Sequence, residues 1–256
     1  LAHFIRACAP FRFEMIWDND ALEVLGHDRA DLVAAIDWAA VQGRTDDCVR
    51  LVLGAAAVLC DDGTETVRLI DRVMDRADGS PTMTPLHGPR FWACVVGAAF
   101  QDAAGSAIEQ MRSPERLHRF RGNLQLGWLI STVDPRAAER HLDTAKNLLP
   151  ELTGAATTDA AELAFDSILS EYLISVGEID DALDAAARVL EHEPEGANGE
   201  FVANAGRIAI ACHLLQGRPD DGLRIAGRLD RFPRSGRRDL RCRGIGPDKM
   251  RLFPGN

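Results

Sequence analysis

The sequence predicts an all-α protein in which antiparallel helix pairs stack side by side. Apolar residues recur at spacings of three and four along almost the whole chain, which places them on one face of a helix. Sustained two-residue alternation, the pattern of a half-buried strand, is missing from the sequence. Glycines punctuate the helical stretches and predict their ends, at Gly43, Gly63, Gly79, Gly105, Gly177 and Gly217.

Length, charge and cysteine spacing narrow the class of protein. The chain has 256 residues, 46% of them hydrophobic, which is enough for a substantial core. Its net charge of −10 argues against a wide nucleic-acid surface. The six cysteines form no C-x-x-C motif, so we expect a reducing, cytoplasmic location. The longest apolar runs, residues 51–60 and 91–100, are about half of a bilayer span, so we expect no membrane partner.

Boundary signals divide the chain into three parts. Asp28 is a candidate cap for a helix that ends at Gly43, and Thr45 opens the next helix with two aspartates. The proline-rich segment 79–88 predicts a non-helical loop between an N-terminal helical block, residues 1–80, and a repeat region, residues 89–233. The basic segment 234–256 predicts a poorly ordered tail. Because the chain begins at Leu1 rather than methionine, we expect a piece of a longer polypeptide.

Residues 163–194 resemble a tetratricopeptide repeat. Two helices meet at Gly177, and Ala182, Val189 and Pro194 follow at the spacings that this family uses for the small residue, the second packing residue and the closing proline. Less regular copies lie on both sides. The upstream copy begins at Leu126, and the downstream copy is centred on Gly217 and has Gly222 in place of the small alanine. The resemblance implies a tetratricopeptide-like α-α superhelix.

Residues 27–59 are similar to the start of the helical-repeat arm in bacterial signal-transduction ATPases and in LuxR-type or cyclase-linked transcriptional regulators. The similarity is carried by Asp31, Leu32, Ala35, Ile36, Trp38, Ala39 and Gly43. It implies an arm that senses a ligand or partner and controls a neighbouring ATPase or DNA-binding module. The sequence contains neither a G-x-x-x-x-G-K-[ST] loop nor a recognisable LuxR-type helix-turn-helix at its end.

The residues that could take part in catalysis or metal binding have sequence patterns that favour ordinary structural roles. His118 and His141 lie in helical stretches without the H-E-x-x-H or H-x-x-x-H spacing of a metal site. The acidic pairs at 61–62, 180–181 and 220–221 stand at predicted helix starts, where carboxylates offset the helix dipole. No serine occupies a G-x-S-x-G elbow. We therefore predict no catalytic, cofactor-binding or metal-binding residues.

A positive prediction concerns the inner face of the repeats. In tetratricopeptide arrays the first helices of successive repeats line a concave groove. The resemblance places five side chains on that face, namely Arg121, Trp128, Glu171, Asn204 and Arg207. Such a mixture of one aromatic and several hydrogen-bonding groups suits a protein or peptide partner.

Three functions compete at this point. The first is a non-catalytic protein-interaction and sensor domain of a larger cytoplasmic transcriptional or signalling regulator. The second is a small-molecule enzyme on a helical scaffold, which requires an enclosed pocket with convergent titratable groups. The third is nucleic-acid contact through the arginines of residues 234–256.

Overall fold

A computed structural model of the chain describes residues 1–11, 13, 20–77, 81–152, 155–192 and 198–229. Within these ranges the regular structure is helical and contains no strand, so the predicted all-α class is confirmed. The α-helices are α1 Ala2–Cys8, α2 Asp20–Leu25, α3 Arg29–Val41, α4 Thr45–Gly54, α5 Ala56–Leu59, α6 Gly63–Arg76, α7 His87–Val96, α8 Phe100–Met111, α9 Arg116–Ile130, α10 Pro135–Leu148, α11 Ala155–Val176, α12 Ile179–Leu190, α13 Asn198–Leu215 and α14 Pro219–Leu229. Short 3₁₀ turns cover Gly26–Asp28, Pro81–Leu86 and Leu149–Glu151.

Helix starts follow local capping chemistry. The Asp62 carboxylate accepts a hydrogen bond from the Glu65 amide at 2.9 Å and caps α6. Asp134 does the same for Ala137 at the start of α10, where Pro135 occupies the first helical position. Asp28 stands at the N-cap position of α3 as predicted, although its side chain makes no capping bond.

Two of the predicted interruptions of helical structure are wrong. The proline-rich segment is largely helical, because Pro81–Leu86 forms a 3₁₀ turn and α7 begins at His87. Pro81 opens the 3₁₀ turn and Pro89 lies in the first turn of α7, where a backbone amide has no acceptor within the helix, whereas Pro85 lies inside the 3₁₀ turn. Gly105 lies inside α8 rather than at its end, on an exposed face where its missing side chain leaves no gap. Gly79 lies outside the described residues.

Helices that follow one another in the chain pack against one another from α6 to α10 and again from α11 to α14. In addition, α11 packs against α13, so the first helices of two successive pairs touch. The short turns between α3 and α4, α11 and α12, and α13 and α14 contain glycines with positive φ, which is a conformation that glycine adopts without strain. The last two pairs are therefore stacked helical hairpins.

The apolar interior of the described residues falls into three clusters. The first runs from Cys8 to Leu86 and the second centres on Phe91 and Leu126. The third runs from Phe120 to Ala209. The predicted division near residues 80–89 remains a prediction. The tail 234–256 lies outside the described residues. No helix in the described part of the chain has both the length and the apolar character that a membrane crossing requires.

Candidate functional site

A polar network joins α11 to α13 where the two helices lie side by side. The Asn204 amide nitrogen donates to the Ser167 hydroxyl at 3.1 Å and to the Glu171 carboxylate at 3.3 Å. The Arg207 guanidinium donates to the Asn204 amide oxygen at 2.5 Å. Because each end of the Asn204 amide has a partner of the opposite kind, its orientation is fixed. We call Ser167, Glu171, Asn204 and Arg207 the α11–α13 site.

Helical periodicity explains why these four side chains meet. Ser167 and Glu171 are four residues apart on α11, while Asn204 and Arg207 are three apart on α13, so each pair shares a helix face. Ser167 is buried and also donates to the Phe201 carbonyl at 3.4 Å. The network therefore runs from a buried anchor at Ser167 to the exposed guanidinium of Arg207.

Two acidic residues, Glu171 and Glu200, lie near Arg207. Glu171 accepts from the same Asn204 amide group to which Arg207 donates, and Glu200, one turn before Asn204, is close enough for the charge of Arg207 to affect its carboxyl. Burial raises the pKa of the Glu200 carboxyl, and the charge of Arg207 opposes that rise. The α11–α13 site thus offers a cation, a carboxylate and an amide at one place, which are the groups that bind the polar parts of a peptide.

The two remaining predicted groove residues lie on α9. Trp128 is half-buried and its ring centre lies 5.3 Å from that of Trp92 and 6.3 Å from that of Phe91. Arg121 is buried, with 4% of its surface exposed. Its guanidinium donates to the Phe13 carbonyl at 3.2 Å and lies 5.6 Å from the centre of the Phe13 ring. The structure thus brings Glu171, Asn204 and Arg207 together, while Arg121 binds the chain's own N-terminal segment.

A buried polar layer lies between α8 and α9, and the sequence pattern did not predict it. The Gln110 amide donates to the Gln125 amide oxygen at 2.6 Å, and the Ser113 hydroxyl lies 3.2 Å from His118 Nδ1. Burial, followed by the charge of Arg121, lowers the pKa of His118. Glutamine and serine side chains usually face water. The sequence therefore contained no signal for this layer.

The acidic pairs stand where the sequence placed them, at helix starts. Asp180 and Asp181 lie in the first turn of α12, and Asp220 and Asp221 in the first turn of α14. Among the described residues, no group of three or more His, Cys, Asp and Glu side chains is arranged to hold a metal ion. Two surface depressions stand out, and both open to solvent; one is lined by His213, Asp221, Arg224, Ile225 and Arg228, the other by residues 43–47 and Arg50.

The fold and the α11–α13 site together define an all-α protein built from successive helix pairs with a polar surface between the first helices of its last two pairs. No family model matches the chain, and neither a curated protein nor a solved structure matches it significantly.

Proposed function

We propose that this chain is a non-catalytic protein-interaction and sensor domain of a larger transcriptional or signalling regulator, and that its helix pairs form a tetratricopeptide-like superhelix. The resemblance of residues 27–59 to the helical arm of such regulators supports the wider role. The pairing of α11 with α12 and of α13 with α14 supports the repeat, as does the full burial of Ala182 and Val189 at the small and second packing positions. Neighbouring ATPase or DNA-binding domains of the parent chain are the modules that this arm would control.

The observation that carries the binding role is the α11–α13 site itself. Three side chains that the repeat pattern assigns to the inner face, Glu171, Asn204 and Arg207, form one hydrogen-bonded group across two helices. Arg207 keeps an exposed guanidinium that can donate to a carboxylate or a main-chain carbonyl of a partner. A peptide lying along the groove would meet this group in a fixed geometry, because Asn204 is held from both ends.

A displayed library of random peptides, panned against the whole chain, tests the proposal. We expect the enriched peptides to lose about tenfold in affinity when Arg207 or Asn204 is replaced by alanine, which corresponds to the loss of about 1.4 kcal/mol. Arg68→Ala is the matched control, because Arg68 is an exposed arginine on α6, in another part of the chain. Circular dichroism establishes that all three variants remain folded.

Two results would contradict the proposal. One is a library from which no peptide is enriched. The other is a set of enriched peptides that bind Arg207→Ala, Asn204→Ala and Arg68→Ala with equal affinity.

A further inference from the structure

The side chain of Asn204 separates two opposite charges in the α11–α13 site. Its amide oxygen accepts from Nη2 of Arg207 at 2.5 Å, and its amide nitrogen donates to Oε2 of Glu171 at 3.3 Å. The guanidinium and the carboxylate therefore stand at opposite ends of one amide group. The space between the two charged groups thus has the length and the polarity of an amide.

Both charged groups keep hydrogen-bonding capacity for a ligand. Within the described ranges, Asn204 is the one hydrogen-bond partner of each of the two charged side chains. A guanidinium has several N–H donors and a carboxylate accepts at both oxygens, so each group can bind a ligand while it holds Asn204. Arg207 is exposed and Glu171 is partly exposed. A second amide that lies beside Asn204 would accept from Arg207 through its carbonyl and donate to Glu171 through its N–H.

The charges around the site disfavour a charged ligand group. A carboxylate that approaches Arg207 also approaches Glu171, and Glu200 lies close enough to Arg207 for the two charges to interact. An ammonium group that approaches the two carboxylates meets Arg207 in turn. Like charges held close together weaken a complex. An amide bonds to Arg207 and Glu171 at once and carries no net charge, so it meets neither repulsion.

The helix surfaces next to the site are uncharged. Beyond Glu171 and Arg207, the next turn of α11 and of α13 contains no charged residue. Ser175 lies four residues after Glu171, so the two share a face of α11. Ala211 and Leu214 continue the face of Arg207 on α13, and Leu214 is 58% exposed. A peptide that runs in this direction from the amide meets small and aliphatic side chains, which suits an uncharged segment.

We propose that the α11–α13 site binds an uncharged amide group of an internal segment of a partner polypeptide, with the amide carbonyl on Arg207 and the amide N–H on Glu171. This inference rests on the proposed peptide-binding function and names the ligand group of the same site. The amide belongs either to the peptide main chain or to an asparagine or glutamine side chain, since both present the same donor and acceptor. Binding requires neither a free terminus nor a charged side chain.

Two displayed libraries test the neutral character of the ligand. Both present random peptides inside a loop, so that neither end is free, and one library omits aspartate, glutamate, lysine and arginine. Panning the uncharged library against the whole chain should give peptides whose affinity falls about tenfold on Arg207→Ala and on Glu171→Ala. Glu162→Ala is the matched control, because Glu162 is exposed on α11 nine residues before Glu171 and therefore on the opposite face of the helix. Circular dichroism establishes that the variants remain folded.

A peptide from the uncharged library, synthesised with both ends blocked, identifies the amide. Methylation of each main-chain nitrogen removes one N–H donor, and replacement of each asparagine or glutamine by methionine removes a side-chain amide. At one position we expect an affinity loss of about tenfold for the unaltered chain and no further loss for Glu171→Ala, measured by fluorescence anisotropy. The kind of change that gives this non-additive loss distinguishes a main-chain amide from a side-chain amide.

Glu171→Gln gives a second check on the role of the carboxylate. Glutamine keeps an oxygen that accepts from the ligand N–H but has no charge, and Asn204 donates to the same oxygen. We therefore expect this variant to bind the blocked peptide more tightly than Glu171→Ala does. Equal affinity of the two variants contradicts a hydrogen bond between the ligand and residue 171.

Failure of this inference and failure of the proposed function give different results. If only the library with charged residues gives peptides that depend on Arg207, the site takes a charged group, so the inference is wrong and the proposed function stands. The inference is also wrong if Glu171→Ala binds the uncharged peptides as tightly as the unaltered chain. If neither library is enriched, the proposed function and this inference both fail.

Discussion

Gly122 of α9 lies directly against the main chain of Ala107 in α8. A Cβ atom built on Gly122 would be 2.5 Å from the Ala107 carbonyl oxygen and 2.8 Å from the Met111 amide nitrogen. Both atoms belong to the backbone of α8, so neither can move without moving the helix. The buried amide pair of Gln110 and Gln125 spans the same interface and depends on this close approach.

Gly122→Ala should therefore destabilise the protein. The added methyl group forces α8 and α9 apart, and overpacking of this kind costs about 1–3 kcal/mol. Alanine favours a helix over glycine by about 1 kcal/mol, which offsets part of that cost. Urea denaturation followed by circular dichroism should show a net decrease in the free energy of unfolding.

Gly105→Ala is the matched control in the same helix pair. Gly105 is exposed within α8, and a Cβ atom there meets nothing within 4 Å. Its replacement should raise the free energy of unfolding by about 0.5–1 kcal/mol through helix propensity alone. Stabilisation by both alanines would show that α8 and α9 do not touch at Gly122.

A second prediction concerns Gly222, where the repeat pattern expects alanine. Gly222 lies in α14 five residues after the turn glycine Gly217, as Ala182 in α12 lies five after Gly177. A Cβ atom at Gly222 would be 3.6 Å from Ile210 of α13, which is an ordinary contact. Gly222→Ala should consequently raise the free energy of unfolding by about 0.5–1 kcal/mol, measured by urea denaturation.

Ala182→Gly is the reverse change at the equivalent position. Ala182 is fully buried, so the loss of its methyl group should lower the free energy of unfolding by about 1 kcal/mol or more. If Gly222→Ala destabilises the chain instead, then α13 and α14 approach more closely than α11 and α12 do, and the two pairs are not equivalent repeats.

The sequence was most informative where structure depends on local chemistry. The turns at Gly43, Gly177 and Gly217 were predictable because glycine adopts a positive φ without strain. The break that we predicted at Gly105 was wrong because a glycine alone does not end a helix. Glycine only weakens a helix, and the packing of α8 between α7 and α9 outweighs that cost, which the sequence of α8 does not show.

The candidate site was predictable only between neighbouring helix pairs. Glu171, Asn204 and Arg207 could be placed on one face because α11 and α13 hold equivalent positions in adjacent pairs. The contact of Arg121 with Phe13 joins residues 108 positions apart, and no periodicity relates them. Such contacts depend on the tertiary packing of segments that are distant in the sequence, which the local sequence pattern does not determine.

Buried histidines should make the stability of the protein depend on pH. Burial lowers the pKa of His118 from its ordinary value of 6.5, and nearby Arg121 and His87 lower it further, while Glu115 opposes them. The unfolded chain therefore takes up the proton more readily than the folded one as the pH falls through 6.5. The free energy of unfolding should decrease as the pH falls through that value, by at most about 1.4 kcal/mol per pH unit for one proton.

His118→Asn isolates this contribution, because asparagine keeps a polar atom near the Ser113 hydroxyl but does not titrate. Urea denaturation at several pH values should give a shallower slope for the variant than for the unaltered chain. Some slope should remain, since burial also lowers the pKa of His87 and His141. Glu200 acts in the opposite direction in both proteins and cancels in the comparison. Identical slopes would show that His118 is not buried in a neutral form.

The cysteines provide a last prediction, on the integrity of the helix stack. The five cysteines in the described residues are free and buried, namely Cys8, Cys48, Cys60, Cys94 and Cys212. Burial raises the pKa of the Cys60 thiol to about 12 and that of Cys94 to about 11, so neither forms the reactive thiolate near neutral pH. In a Cys242→Ser chain, a thiol-specific chromogenic reagent should therefore react very slowly without urea and should reach five thiols rapidly above the urea midpoint. Rapid reaction of even one thiol in the folded chain would locate a helix that separates from the stack, because each of these thiols is covered by packed neighbours.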